Sequence, residues 1–281
     1  MSKIEKALKK AQEQRLKDSL PVTKENIKAP KSKDVVVSSG NPIVAKHAKP
    51  NALIAEMEDS NCMSLDELIQ KQIIFPEIHD GKVANSFRNL RTKLLQVSKN
   101  ENFIILITSC TDGIESSFVS LNLSAAFSLD ESKTSLIIDC NLDNPKIDNL
   151  LGITTEMGLT DYLESDEMSI DKIIHSAGIQ RLRVISAGSK KESLSEYFIS
   201  SKMKNLMDSL VDRYSDRYIF VDGPPVTDSA DSKILMEMCD FVILAIPYGK
   251  VTATTIQNSI NALDPEKFLG IVMNEIPTFI G

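Results

Sequence analysis

Between Lys99 and Lys133 the chain carries no lysine or arginine. Cysteine is also scarce. Cys62, Cys110, Cys140 and Cys239 lie far apart and form no C-x-x-C or Cys/His cluster. That argues against a zinc site and for a reducing cytoplasm. The three histidines, His47, His79 and His175, fall in no ligand pattern and read as surface or linker residues. No signal peptide opens the chain, and no apolar run approaches the roughly 18 residues that span a bilayer. The expectation is a cytoplasmic protein that reaches the inner face of a membrane only through a partner.

What is present is globular on average, with 42% hydrophobic and 25% charged residues in 281. That length suits one α/β domain with extra segments, or two small domains. The net charge of −7 argues against nucleic acid as a partner of the whole chain. The charge is uneven. Residues 1–50 hold 12 Lys/Arg against 5 Asp/Glu, an excess of +7, so the remainder carries −14. A basic arm on an acidic body is either a partner-seeking layout or a solvated arm.

Residues 1–20 read as a basic amphipathic helix with Ile4, Leu8 and Ala11 as a thin stripe. Its stripe is poor in aromatics, which favours docking on protein over insertion in a membrane. Residues 21–79 read as a linker, marked by Pro21, Pro30, Pro42 and Pro50. Within it Ser64-Leu65-Asp66-Glu67 has the capping-box form of a short helix, with Pro76 as its stop. From residue 80 to 281 the pattern is one domain. A helix over 80–98 carries Val83, Phe87, Leu90, Leu94 and Val97 at helical spacing. Arg88 and Arg91 share one of its faces, either as a solvated edge or as contacts to a neighbouring subunit. Strands are predicted at 103–109, 135–139, 182–186, 218–222, 241–246 and 269–273. Helices are predicted at 115–129, 169–176, 200–213, 229–238 and 252–262. The alternation predicts a parallel sheet with helices on both faces, whose ligands sit beyond the carboxyl ends of the strands.

The first strand leads into Ser109–Ser117 and then a helix. Strand, phosphate-sized turn, helix is the layout of a P-loop. The chemistry is missing. In the pattern G-x-x-x-x-G-K-[ST], Cys110 and Glu115 stand at the glycines and Ser116 at the lysine, and only Ser117 fits. Two other strands end in an acid, Asp139 and Asp222. Packing alone does not place a carboxylate there, since a buried one needs a partner.

These segments together resemble the bacterial tyrosine kinase (BY-kinase) family, P-loop proteins of polysaccharide export, in its stand-alone cytoplasmic type. The resemblance covers about residues 84–276. The family's E-x-F-R-x-L-R-T segment appears as Asn85 to Thr92. Its Walker A loop and N-L-A helix appear as Ser109–Ser117 and Asn122-Leu123-Ser124. Its second acidic motif is Ile138-Asp139-Cys140-Asn141-Leu142-Asp143-Asn144-Pro145. Its G-L-S-D-Y-L segment is Gly158 to Leu163, and its V-L-P-A-G turn is Val184 to Gly188. Its Walker B is Val221-Asp222-Gly223-Pro224-Pro225, and its adenine-side V-L-N is Val272-Met273-Asn274.

The resemblance implies acids for catalysis at Asp139 and Asp222 and a nucleotide site at Gly113, Glu115, Ser116, Ser117 and Asn274. It implies subunit contacts at Arg88 and Arg91. Yet the lysine is Ser116, a loop glycine is Glu115, the second acid of Asp-x-Asp is Asn141, and the arginine after it is Asp143. The glutamate of the contact segment is Asn85, and no tyrosine cluster closes the chain. The expectation is therefore no intact catalytic set, no cofactor and no metal, with Ser117 and Asp139 as remnants of the Mg²⁺ site. Glu115 then either caps its own helix or points to solvent. The implied role is regulatory or adaptor, in exopolysaccharide or capsule biosynthesis. Its partner would be the cytoplasmic region of a polysaccharide co-polymerase or an active BY-kinase, with self-association into a homo-oligomer as a further option. One alternative is a divergent autokinase using ATP and Mg²⁺, with Lys82 or Lys250 entering the site. Another is a partitioning-type ATPase relative, whose loop would carry two lysines.

Overall fold

The computed structural model describes residues 62–75, 81–113, 115–189, 195–213, 216–227 and 230–274. The expected N-terminal helix, and the linker as far as residue 61, lie outside them. The chain enters through α1 (Leu65–Gln70), and the capping box forms as its sequence requires. Glu67 N donates to Ser64 Oγ at 3.3 Å, and Ser64 N donates to Glu67 Oε2 at 2.8 Å. The helix ends at Gln70, well before Pro76, and Gln72 just beyond it is left-handed, with φ 55°. Ile73, Ile74 and Phe75 are then buried, and Ile74 N donates to Asn122 Oδ1 at 3.0 Å.

Helix α2 (Lys82–Val97) is amphipathic and buries Ala84, Phe87 and Leu94. Then come β1 (Ile104–Ser109), α3 (Glu115–Ser128) and β2 (Thr134–Asp139), followed by the short helices α4 (Ile147–Leu151) and α5 (Leu159–Glu164). After a 3₁₀ turn at Ile170–Lys172 come β3 (His175–Ser176), β4 (Leu182–Ile185), α6 (Ser195–Ile199), α7 (Ser201–Arg213) and β5 (Arg217–Asp222). The domain closes with α8 (Ala230–Glu237), β6 (Phe241–Pro247), α9 (Ala253–Asn261) and β7 (Phe268–Asn274).

The strands form one sheet in the order β3-β4-β2-β5-β1-β6-β7. Six are parallel, and β3 is an antiparallel edge on β4. The expected parallel sheet forms, and the antiparallel edge stands in place of the helix expected over 169–176. Only Ile170 and Ile173 of that stretch are buried, too few for a helix face, and left-handed Gly178 and Arg181 turn the chain back along β4. The sequence reading also omitted α4, α5 and α6. Signals for α4 were present, with Pro145 ahead of it and left-handed Gly152 (φ 69°) just after.

Strands β1, β2 and β5 are buried along their whole length. One apolar layer lies on the side of α7, α8 and α9, the other on the side of α2 and α3. Helix α3 is buried nearly all round, and its small residues let it lie close on the sheet. Ser124 and Ser128 turn their hydroxyls to carbonyls of the same helix, at 2.8 and 2.9 Å. Gly158 serves contact. A side chain on Gly158 would come within 2.5 Å of the Ser186 carbonyl, so only glycine lets the α5 turn rest on the end of β4. The chain leaves β1 toward β2 on one side and later places β6 on the other. This reversal opens a crevice at the carboxyl end of β1.

Candidate functional site

At that crevice the turn after β1 is knitted into its surroundings. Ser109 Oγ donates to the Thr111 carbonyl and Thr227 Oγ1 to the Cys110 carbonyl, both at 2.8 Å. Val226 N donates to the Ser109 carbonyl at 3.0 Å. Asn144 Nδ2, from the loop after β2, donates to both oxygens of Asp112 at 3.0 and 2.9 Å. The next described residue after Gly113, Glu115, is the first of α3 and only 6% exposed. Its side chain folds back over Gly113. A Cβ built on that glycine would strike Glu115 Oε2 and lie 2.9 Å from Cδ. The solvent-facing alternative for Glu115 is thereby corrected.

Ser116, at the position of the missing lysine, is buried. Ser117 Oγ donates to Asp222 Oδ2 at 2.5 Å, and Ser120 Oγ donates to Asp222 Oδ1 at 3.0 Å. Asp222 has no exposure. Burial first, and then the nearby Asp139, raise its carboxyl to about 8 against the pull of the Ser117, Ser120 and Ser116 hydroxyls.

Asp139 is the register partner of Asp222 across β2 and β5. It accepts from the backbone N–H groups of Asn141 (3.2 Å), Lys146 (3.1 Å) and Ile147 (3.1 Å). Ile147 opens α4, so this acid serves the amino end of that helix. Burial raises its carboxyl to about 6 against the pull of those amides. Burial is the largest influence on both acids.

The structure therefore brings Gly113, Glu115, Ser116, Ser117, Asp139 and Asp222 to one place. Asn141 is buried beside them, and Asp143 is exposed. Asn274 ends β7 at the same end of the sheet, where its carbonyl accepts from Tyr248 N at 2.9 Å. Lys82 and Lys250 are both exposed, at the start of α2 and in the turn after β6. Arg91 is engaged within the chain. Its NH1 donates to the Ala126 carbonyl at 3.0 Å, its NH2 pairs with Asp130 at 3.4 Å, and its guanidinium lies 5.7 Å from the Phe127 ring centre. It caps the carboxyl end of α3. Arg88 donates to Asn85 Oδ1 at 3.3 Å.

Sequence reasoning missed Ser120, although its spacing of three from Ser117 on one helix was a usable signal. It also missed the Asn144–Asp112 clamp and the capping role of Asp139.

The described residues contain no helix long and apolar enough to cross a membrane. No protein-family model matches the chain. The tyrosine-protein kinase ptk of Acinetobacter johnsonii is 25% identical over 200 residues, covering 70% of this chain and 27% of that protein. The tyrosine-protein kinase CpsD of Streptococcus agalactiae serotype III is 26% identical over 208 residues, covering 73% of this chain and 88% of that protein. The match thus spans about a quarter of the one relative and most of the other. The kinase domain of the Escherichia coli tyrosine kinase ETK superposes with a TM-score of 0.65 at 25% identity, covering 78% of this chain and 89% of that domain. With its α/β sheet, its ordered motifs and these relatives, the chain is similar to the bacterial tyrosine kinases (BY-kinases).

Proposed function

We propose that this chain is a catalytically silent BY-kinase, a regulatory or adaptor component of exopolysaccharide or capsule biosynthesis and export. The observation that carries the reading is the charge of the phosphate turn. Ser116 stands where the gripping lysine would be, and Glu115 places a carboxylate over Gly113. A unit charge pair at about 4 Å is worth on the order of 4 kcal/mol at an effective dielectric near 20. That is nearly a thousandfold in binding for each charge changed, before screening (about 1.4 kcal/mol per tenfold). A helix amino end offers about 0.3–1 kcal/mol to an anion, up to about 2 in a buried setting. It does not offset a lost cation and a gained anion.

The residues present do not fit a magnesium-bound triphosphate. The hydroxyl of Ser117, the remnant metal ligand, is committed to Asp222. Phosphoryl transfer needs positioning and charge neutralisation together, and the turn offers neither. The scaffold remains a binding surface, with the cytoplasmic region of a polysaccharide co-polymerase or an active BY-kinase as its partner. Attachment to the membrane then comes through that partner.

Calorimetry with MgATP, paired with incubation in labelled ATP, tests the reading. The expected result is no saturable heat and no phosphotyrosine. Micromolar binding, or label on the chain's own tyrosines, overturns it in favour of a divergent autokinase.

A further inference from the structure

Along the turn at the head of β1, the chain's own groups hold one residue after another. Thr111 is reached by Ser109, Cys110 by Thr227, Asp112 by Asn144, and Gly113 by Glu115. The last contact differs in kind from the first three. Those are hydrogen bonds between neutral or exposed groups. The fourth buries a carboxylate at the first residue of a 14-residue helix, on the open side of a glycine. Glycine in such a turn leaves space for an anion to approach the backbone, and the helix amino end favours negative charge there. Here that space is filled from within.

We propose that the Glu115 carboxylate is the resident anion of this turn, taking the place beside Gly113 and the start of α3 that a ligand's phosphate would take. The turn is thereby held in one closed conformation without any ligand. The proposal rests on the reading that MgATP is not bound, and it adds a second cause. The site is occupied, and not merely stripped of its lysine. An incoming phosphate must expel the buried carboxylate that already lies over Gly113, and it meets that carboxylate's repulsion as it enters. A surface built around this turn keeps one shape at every nucleotide level, as a constitutive adaptor requires.

The test uses the full chain, with hydrogen–deuterium exchange over residues 109–120 in the absence of nucleotide and calorimetry with MgATP. Glu115→Gln keeps the size of the side chain and removes its charge. It is expected to speed exchange in the turn by about tenfold or more while the buried strands β1 and β5 stay protected, which confirms folding. Ser116→Lys alone is expected to remain a poor binder. Glu115→Gly with Ser116→Lys is expected to bind MgATP at least about tenfold more tightly than Ser116→Lys. Unchanged exchange in Glu115→Gln overturns the proposal. So does a Ser116→Lys variant that binds as well as the double variant. Either result leaves the catalytically silent reading standing. Micromolar binding by the unaltered chain removes both.

Discussion

The two ends of one structural unit, β1 with α3 and β5, are built from opposite materials. At the amino end of β1, Phe103 packs its ring against Phe127 (5.5 Å), Tyr218 (5.0 Å) and Phe220 (6.2 Å), with Phe241 at 5.6 Å. At the carboxyl end, the length of a six-residue strand away, Asp222 and Asp139 lie buried among serines and backbone amides. The aromatic end gains from burial and from edge-to-face ring contacts. The acidic end loses from burial, because each carboxyl must give up water, and two of them are neighbours. Packing alone would not assemble the second end. Serine hydroxyls and backbone amides hold the acids there.

The comparison predicts unequal responses to substitution and to pH. The largest effect belongs to the aromatic end. Phe127→Ala should cost about 3–5 kcal/mol in urea unfolding, with the pH dependence of stability unchanged. Ser117→Ala should cost less, about 1–3 kcal/mol, because one oxygen of buried Asp222 loses its donor. An unchanged urea midpoint for that variant would show that the hydroxyl is not needed.

The pH response belongs to the acidic end alone, and its sign follows from the direction of the shifts. Both carboxyls are raised in the folded chain, Asp139 to about 6 and Asp222 to about 8, because burial disfavours their charged forms. The native state therefore keeps protons that the unfolded chain releases. Their contribution is complete below the ordinary carboxylate range and is lost as pH climbs through about 6 and then about 8. Urea midpoints should fall between about pH 5 and about pH 9, and Asp222→Asn should flatten the upper part of that decline. A midpoint that rises over this interval would contradict the upward shift of the two buried carboxyls.

The smallest effect is at the junction of the two materials. Arg91→Ala should cost about 1 kcal/mol or less, since the guanidinium caps α3 but its ion pair with Asp130 is partly solvated. The oligomeric state of that variant, read by light scattering, should match the unaltered chain. A change would return Arg91 to the role of subunit contact that its place in the motif implied.

Much of this was legible in the residue order. Short apolar strands alternating with helices marked the α/β sheet, and Ser64 with Glu67 marked a capping box that forms in the structure. Asp139 and Asp222 stood out as acids ending apolar strands, and they meet as register partners. Where the reading failed, the cause was local. Residues 169–176 carried enough apolar residues to suggest a helix, but left-handed Gly178 and Arg181 just beyond turn the chain into an edge strand. Arg88 and Arg91 looked alike at a spacing of three. Only the position of α3's last turn separates them, since it takes Arg91 and leaves Arg88 with Asn85.

The order of residues determined the fold class and the absence of a cation from the phosphate turn, because both are properties of what is written along a short stretch. Tertiary structure decided that Ser117 and Ser120 grip Asp222 from more than a hundred positions away, that Asn144 clamps Asp112, and that Glu115 turns inward. Periodicity reports which side of an element a residue occupies. It carries no information on which distant group will face it, and hydrogen bonds between distant groups are settled only when the sheet has brought their carriers within about 3 Å.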